Sequence, residues 1–339
     1  MEIGDLELYI DQSIVINIFL SHGYFQSKNC LREVQATVEK QKPFMFTHEA
    51  DKSKGGGPVE EIKCELADKR LQTAVFTQER RVIVWYRIAD FQLVSLKLIA
   101  EFTLLNTPKY AGRKALPIFV PGELLREQLG FNKPVTIVAS KHNPGAIGLA
   151  TELKQQYEAI SITESTLSEF QDSASTASTS TASSGCDVHF LLYLNVDTFL
   201  DAAGAQLAEE LRKARSAMVP IVMCHENDPE RGGCEFGRFF GTTPQDLIDN
   251  GLYRALAFAA YPGMEHRAAS LALLAKALGA KSQKLSGAAW ARSSKAMAMV
   301  ELEVSSFGLR ASRISRINFR KSIGTSRPSV PNTIQYSDV

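Results

Sequence analysis

Two histidine–glutamate pairs come first among the residues that could do chemistry. Segment 48–56 (HEADKSKGG) recurs as segment 225–233 (HENDPERGG), 177 residues later. A zinc-protease motif would need a second histidine four residues after the first, on a helix. Lys52 and Pro229 occupy those positions, and each pair ends an apolar run. We therefore interpret the segment as a turn in which the aspartate caps the chain and the glycine pair supplies positive φ. No metal site is predicted.

The elements around each pair repeat as well. Each copy follows a short apolar run with the length of a buried strand, and a helix-like segment and a further apolar run precede it. Strands that alternate with helices predict a parallel α/β sheet, and self-similarity at this length predicts two related domains. The matching runs are 42–47 with 219–224, 13–21 with 188–195, and 90–102 with 265–278.

The second copy has additional elements at its start. Segments 133–140 and 159–163 are predicted strands, and the helix between them carries an apolar face at Ala146, Leu149, Ala150, Leu153 and Tyr157. The first copy starts almost at its third strand. We expect that Met1 lies inside a domain and that copy one lacks two strands and one helix. The strand at 13–21 would then have an open edge, which is a route to association.

A family resemblance rests on the first copy. A helix ends near Ser13, an apolar strand ends at Ser21, and segment 24–33 (YFQSKNCLRE) opens the next helix. This pattern resembles the central part of Toll/interleukin-1 receptor (TIR) domains, and segment 42–51 is similar to their fourth strand and acidic loop. Copy two is similar at a greater distance, with Asp201-Ala202-Ala203-Gly204 in place of the Ser-x-x-Cys-Leu pattern. The resemblance implies a flavodoxin-like fold whose parallel sheet has the strand order 2-1-3-4-5.

The resemblance also implies two functions. Many TIR domains transmit signals by assembling with other TIR domains, and some hydrolyse NAD with a glutamate on the helix after the third strand. The matching position is Glu33, and the offset of 177 residues leads to Glu210. We expect a protein-interaction module of intracellular signal transduction, whose partners are other TIR-like domains or the chain itself. The alternative is an NAD glycohydrolase, with NAD as its substrate and no resident cofactor.

In copy two, Glu210 has an adjacent competitor, Glu209. Glu210 flanks the apolar stripe of its predicted helix, whereas Glu209 points towards solvent. A carboxylate at the margin of a packed face could stabilise an oxocarbenium ion as nicotinamide leaves. The competing interpretation, for Glu33 as well, is a solvated glutamate near a helix start. The predicted stripe consists of Leu207, Leu211, Ala214 and Met218.

The predicted ligand site lies at the topological switch point of copy two. In doubly wound sheets, ligands bind beyond the carboxyl ends of the strands, where the strand order reverses. The free N–H groups of the following helix could accept a phosphate there. The predicted binding residues are Ser140, His142, Asn143 and Gly145.

Composition excludes several classes of protein. The 339 residues carry a net charge of +1, which gives no reason to expect nucleic-acid binding. Five cysteines without a Cys-x-x-Cys pair do not indicate a disulfide framework. An acidic N-terminus and the lack of a long apolar stretch favour a cytoplasmic location.

The chain is divided by sequence into four parts. Residues 1–110 form a partial TIR-like domain, 111–132 a connector, and 133–280 a divergent TIR-like domain with a flexible Ser/Thr/Ala loop at 167–187. Residues 281–339 are predicted to be a disordered basic tail with a short helix near 287–303. Membrane contact is expected only through this tail.

Overall fold

A computed structural model describes residues 5–164 and 186–283. Most of the predicted Ser/Thr/Ala loop lies outside these ranges, as do the tail beyond Gln283 and the helix predicted near 287–303. Among the described residues, no helix combines the length and apolar character that crossing a bilayer requires.

The first half of the chain contains a three-stranded parallel sheet in the order β1-β2-β3. One face is covered by short helices and by α2, and α5 covers part of the other. Ser27 caps α2 by accepting a hydrogen bond from the Cys30 N–H, which explains why the helix starts there. The strands are β1 (Ile16–Leu20), β2 (Phe44–His48) and β3 (Val82–Val84), and the helices are α1 (Leu6–Gln12), α2 (Lys28–Glu39), α3 (Val59–Cys64), α4 (Lys69–Val75) and α5 (Ala89–Leu105).

The second half contains a five-stranded parallel sheet with helices on both faces. A short antiparallel pair, β4 with β10, lies beside it. The strands are β4 (Leu129–Gly130), β5 (Val135–Val138), β6 (Ile160–Thr163), β7 (Asp187–Leu194), β8 (Ile221–Glu226), β9 (Phe258–Ala260) and β10 (Lys281–Ser282), and the helices are α6 (Ala146–Gln156), α7 (Asp201–Ser216), α8 (Phe239–Thr242), α9 (Gln245–Asp249) and α10 (Met264–Ala277).

The order β6-β5-β7-β8-β9 is the predicted order 2-1-3-4-5, so the α/β, flavodoxin-like fold is confirmed. The central strands β7 and β8 are apolar runs buried on both faces, as expected for a parallel sheet between two helix layers. The first half has only the counterparts of β7, β8 and β9 among the described residues.

The internal repeat holds in the register of the strands. Leu20 pairs with His48 in the first half, and Leu194 pairs with His225 in the second. The offset between equivalent residues is therefore 174 in the third strand of each half and 177 in the fourth. It is 175 in the fifth, where Val84 pairs with His48 and Ala259 pairs with His225. The helix that follows the third strand has 16 residues in the second half and 12 in the first, so the additional length lies within this helix.

One residue of the predicted apolar stripe on α7 is misplaced. Met218 is 88% exposed, because α7 ends at Ser216 and the chain turns through positive φ at Met218. The prediction for Met218 is therefore wrong. The buried stripe consists of Gly204, Leu207, Ala208, Leu211 and Ala214.

The two halves contact each other through equivalent residues. The rings of Tyr86 and Tyr261 have centroids 4.0 Å apart. Phe91 meets Tyr261 edge-on at 4.7 Å, and Tyr86 meets His266 edge-on at the same distance. An offset of 175 relates Tyr86 to Tyr261 and Phe91 to His266. The contacts are thus reciprocal, which is the property of an interface with two-fold symmetry.

His266 makes this interface sensitive to acid. Its Nε2 lies 3.2 Å from Ser95 Oγ, and burial lowers the pKa of the imidazole to about 4. Between pH ~6.5 and ~4 the imidazole is protonated in the unfolded chain but not in the folded chain. The free energy of unfolding therefore decreases as the pH is lowered through that window.

We predict that His266→Phe, which installs the equivalent residue of the first half, removes about 3 kcal/mol of this pH dependence. The measurement is urea unfolding at pH 7.5 and 4.5. His22→Gln, a change at a partly exposed position outside the interface, is the control and should behave like the parent. An unchanged difference between the two pH values in His266→Phe would contradict the assignment.

Candidate functional site

The predicted binding turn lies where β5 ends and α6 begins. Gly145 has a φ of 84°, and a Cβ there would lie 2.5 Å from Cε1 of Tyr193. Asn143 is buried, and its side chain bonds both the N–H and the C=O of Tyr193, each at 2.7 Å. The turn is therefore anchored on β7 by an amide bridge and needs glycine next to the tyrosine ring.

Two further side chains shape the same turn. Ser140 is buried, and its Oγ accepts a hydrogen bond of 2.9 Å from the His142 N–H. Asn195, at the end of β7, donates from Nδ2 to the carbonyl of Pro144 at 2.8 Å. Ser140, Asn143 and Gly145 thus hold the backbone, whereas the His142 ring reaches α7.

The structure brings Glu210 and His142 together. His142 Nδ1 lies 2.9 Å from Glu210 Oε1, although the two residues are 68 positions apart in the chain. The side chain of Glu210 is 12% exposed, and that of His142 is 25% exposed. No described residue hydrogen-bonds Glu210 Oε2. The pair therefore offers a nearly buried carboxylate with one oxygen held and one available.

Glu209 faces away from this pair. Its side chain is 60% exposed and forms an ion pair of 2.6 Å with Arg212. The prediction that Glu210 flanks the packed face while Glu209 points into solvent is confirmed.

Glu33 has a different setting in the first half. The Tyr24 hydroxyl donates to Glu33 Oε2 at 2.8 Å, and burial, reinforced by the nearby Glu33, raises the pKa of Tyr24. The described residues contain no counterpart of β5 beside β1. Glu33 therefore lacks the turn that supplies His142 to Glu210.

The sequence identified Glu226 as part of the repeated histidine–glutamate pair, but it did not predict that Glu226 is the most buried acidic residue of this region. Glu226 ends β8 and has no exposed surface. Its Oε1 accepts the N–H groups of Asn227 and Asp228 at 3.0 and 2.9 Å, and its Oε2 accepts from the Tyr193 hydroxyl at 2.5 Å and from Arg267 at 2.7 Å. Burial and the bond to Glu226 raise the pKa of Tyr193, which therefore donates.

Arg267 of α10 extends this network to α6, the neighbouring helix on the same face of the sheet. Its guanidinium also pairs with Glu152 of α6 at 2.9 Å, and Glu152 pairs with Arg231 of the repeated loop. The network connects α6, β7, β8 and α10 at the carboxyl end of the sheet. The signal that could have identified it was the repeat itself, since Glu49 and Glu226 are identical.

The first half contains the same carboxylate arrangement. Glu49 is buried, its Oε1 accepts from the Asp51 N–H at 2.9 Å, and its Oε2 pairs with Arg87 at 2.5 Å. The histidines before the glutamates, His48 and His225, each donate from Nε2 to a loop carbonyl at 2.7 Å.

The interpretation of the repeated segment as a turn is confirmed. Asp51 accepts from the Ser53 N–H at 2.8 Å, and Asp228 accepts from the Glu230 N–H at 3.0 Å. The first glycine of each pair has a φ of 79°. Within residues 5–164 and 186–283, no group of three His, Cys, Asp or Glu side chains is placed to hold a metal ion.

No protein-family model, no curated protein and no solved structure matches this chain.

We predict that Glu226→Ala destabilises the fold by about 3 kcal/mol, because Arg267 and two N–H groups lose a buried anionic partner. Thermal or urea unfolding measures the change. Glu230→Ala, an exposed residue of the same loop, is the matched control and should change stability by less than about 0.5 kcal/mol. Equal stabilities of the two variants would show that the Glu226 network does not stabilise the carboxyl end of the sheet.

Proposed function

We propose that this chain is a TIR-type association module of intracellular signalling, which binds another chain through the open edge of its first sheet. The supporting observation is the exposure of β1. No described strand lies on its outer side, whereas β5 flanks the equivalent strand β7.

The backbone of β1 offers hydrogen-bonding groups at this edge. The Ile16 N–H donates to the Pro43 carbonyl, and the Leu20 carbonyl accepts from the Glu49 N–H. The backbone N–H and C=O groups of the even-numbered residues of β1 therefore point towards β2. Because backbone groups alternate between the two sides of a strand, those of Asn17 and Phe19 point outward.

The sequence along β1 is apolar, although this strand is exposed at the edge of its sheet. The strand register makes Phe19 the equivalent of Tyr193. Phe19 is 46% exposed, whereas Tyr193 is 3% exposed under the elements of the second half. Residues 13–21 contain no charge and no proline. Edge strands that avoid pairing normally carry such residues.

The other contact surface of the first half is already occupied. α5 and the rings of Tyr86 and Phe91 pack against the second half. A partner chain would therefore meet β1, where an added strand extends the sheet through main-chain hydrogen bonds.

We predict that Phe19→Lys weakens self-association about tenfold or more, because it places a charge on the pairing edge. Sedimentation velocity over a wide concentration range measures the effect. Leu256→Lys, at a side chain that is 77% exposed in the second half, is the control and should associate like the parent. A parent chain that stays monomeric at every concentration would contradict self-association.

A second candidate function is hydrolysis of NAD in the second half. The Glu210–His142 pair favours it, because it lies beside the strand ends where a dinucleotide binds in doubly wound folds. The available oxygen of Glu210 could accept a hydrogen bond from a ribose hydroxyl group. Its negative charge could stabilise the oxocarbenium ion as nicotinamide leaves. His142 would orient the carboxylate, and the N-terminus of α6 could accept a phosphate.

We predict, for this candidate, that Glu210→Gln lowers nicotinamide release from NAD about 100-fold, because the charge is removed at constant shape. Chromatography of nicotinamide measures the rate. Glu209→Gln, one residue away and solvent-exposed, should leave the rate unchanged. No release by the parent, or equal rates in both variants, would eliminate this activity at Glu210.

A further inference from the structure

One face of the first sheet is only partly covered by helices. In the second half, α6 and α10 lie on the same face and share one core cluster with the strands. The counterpart of α10 is α5, where Ser95 donates to the Phe91 carbonyl as Ser270 donates to the His266 carbonyl. The other described helices that pack on the first sheet belong to the cluster on its opposite face. No described helix therefore takes the position of α6 beside α5.

Two apolar side chains are exposed at this uncovered position. Phe19 of β1 is 46% exposed and Leu96 of α5 is 42% exposed. Their equivalents, Tyr193 and Leu271, are each 3% exposed and belong to the cluster that contains the leucines of α6. The same two positions are thus core where a helix covers them and exposed where none does. Neighbouring exposed apolar residues of this kind mark an interaction surface.

The backbone beside this surface offers the groups that hold the turn before α6. In the second half, the Tyr193 N–H and C=O bond the Asn143 side chain, each at 2.7 Å. Gly145 of the same turn lies directly against the Tyr193 ring. Phe19 presents its own N–H and C=O outward and keeps an aromatic ring at this position. It therefore has the groups that a strand–turn–helix unit requires.

A cation is also exposed in the first half. The Arg267 side chain is 12% exposed, since it pairs with Glu226 and with Glu152 of α6. Arg87 pairs with the equivalent carboxylate, Glu49, but its side chain is 50% exposed. An acidic residue at the position that Glu152 has on α6 would complement this guanidinium.

We propose that the uncovered face binds a strand–turn–helix unit of a partner chain. Its strand pairs with β1 in parallel, and its helix packs between Phe19 and Leu96. This inference rests on the proposed pairing at β1 and specifies what the partner brings there. A strand alone would satisfy the edge but would leave Leu96 exposed. The helix needs a stripe of small and apolar residues, for which α6 is the pattern, with Ala146, Leu149, Ala150 and Leu153 buried.

The test titrates a fluorescently labelled peptide of residues 133–158, which contains β5, the turn and α6, with the full chain. Fluorescence anisotropy measures binding, and we expect a saturable increase. Leu96→Lys in the chain should weaken binding about tenfold or more, because the helix would bury an unpaired charge. Leu149→Lys combined with Leu153→Lys in the peptide should weaken binding by a similar factor.

Matched controls are available on both partners. Leu256→Lys in the chain lies at an exposed position of the second half and should bind the peptide like the parent. Thr151→Lys combined with Gln155→Lys places the same two charges on the exposed side of the peptide helix and should also leave binding unchanged. Circular dichroism checks that each chain variant keeps its fold.

Two results would overturn the proposal. One is the lack of saturable binding by the parent peptide. The other is binding that Phe19→Lys weakens but Leu96→Lys does not, since the peptide would then bind by its strand alone and pairing at β1 would stand without the helix. A chain that remains monomeric yet binds the peptide through Leu96 would contradict self-association and would support this inference.

Discussion

Each half depends on the interactions of one buried carboxylate, Glu226 at the end of β8 and Glu49 directly after β2. Glu226 satisfies two N–H groups of the following turn and, in the same position, a tyrosine hydroxyl and a guanidinium. An unpaired charge in such a place would be strongly unfavourable, so its partners cannot move independently. The turn, the third strand and two helices are therefore located relative to one another by a single side chain. Glu49 repeats one of these turn contacts in the first half, where it accepts from the Asp51 N–H.

The two halves use this constraint differently. In the second half, Tyr193 of β7 donates to Glu226 and also contacts the turn that carries His142. In the first half, Phe19 takes the place of Tyr193 and has no hydroxyl to offer, and Arg87 supplies the cation. The absence of a strand beside β1, among the described residues, thus accompanies a network with fewer members. One half has a histidine–carboxylate pair beside its strand ends, and the other has a strand with no described neighbour on its outer side.

The interface between the halves links these two settings. It is formed by the aromatic residues that follow β3 and β9 and by the helices α5 and α10. Because equivalent residues meet each other, the two halves of the chain form a pseudo-symmetric pair. This pairing occupies one surface of each half and leaves the edge of β1 and the carboxyl end of the five-stranded sheet accessible.

The sequence by itself predicted the α/β fold class, the alternation of strands and helices and the repeat, because each depends on local hydrophobic periodicity or on a nine-residue segment with five identical positions. It also placed Glu210 at the margin of its helix and Glu209 in solvent, since helical geometry decides both. The error at Met218 arose because a periodic pattern does not reveal where a helix ends. Only the tertiary structure decided that His142 reaches Glu210, that Glu226 is buried among Tyr193 and Arg267, and that Tyr86 stacks on Tyr261. These contacts join residues that are distant in the chain, and their geometry follows from how the layers pack rather than from any local pattern.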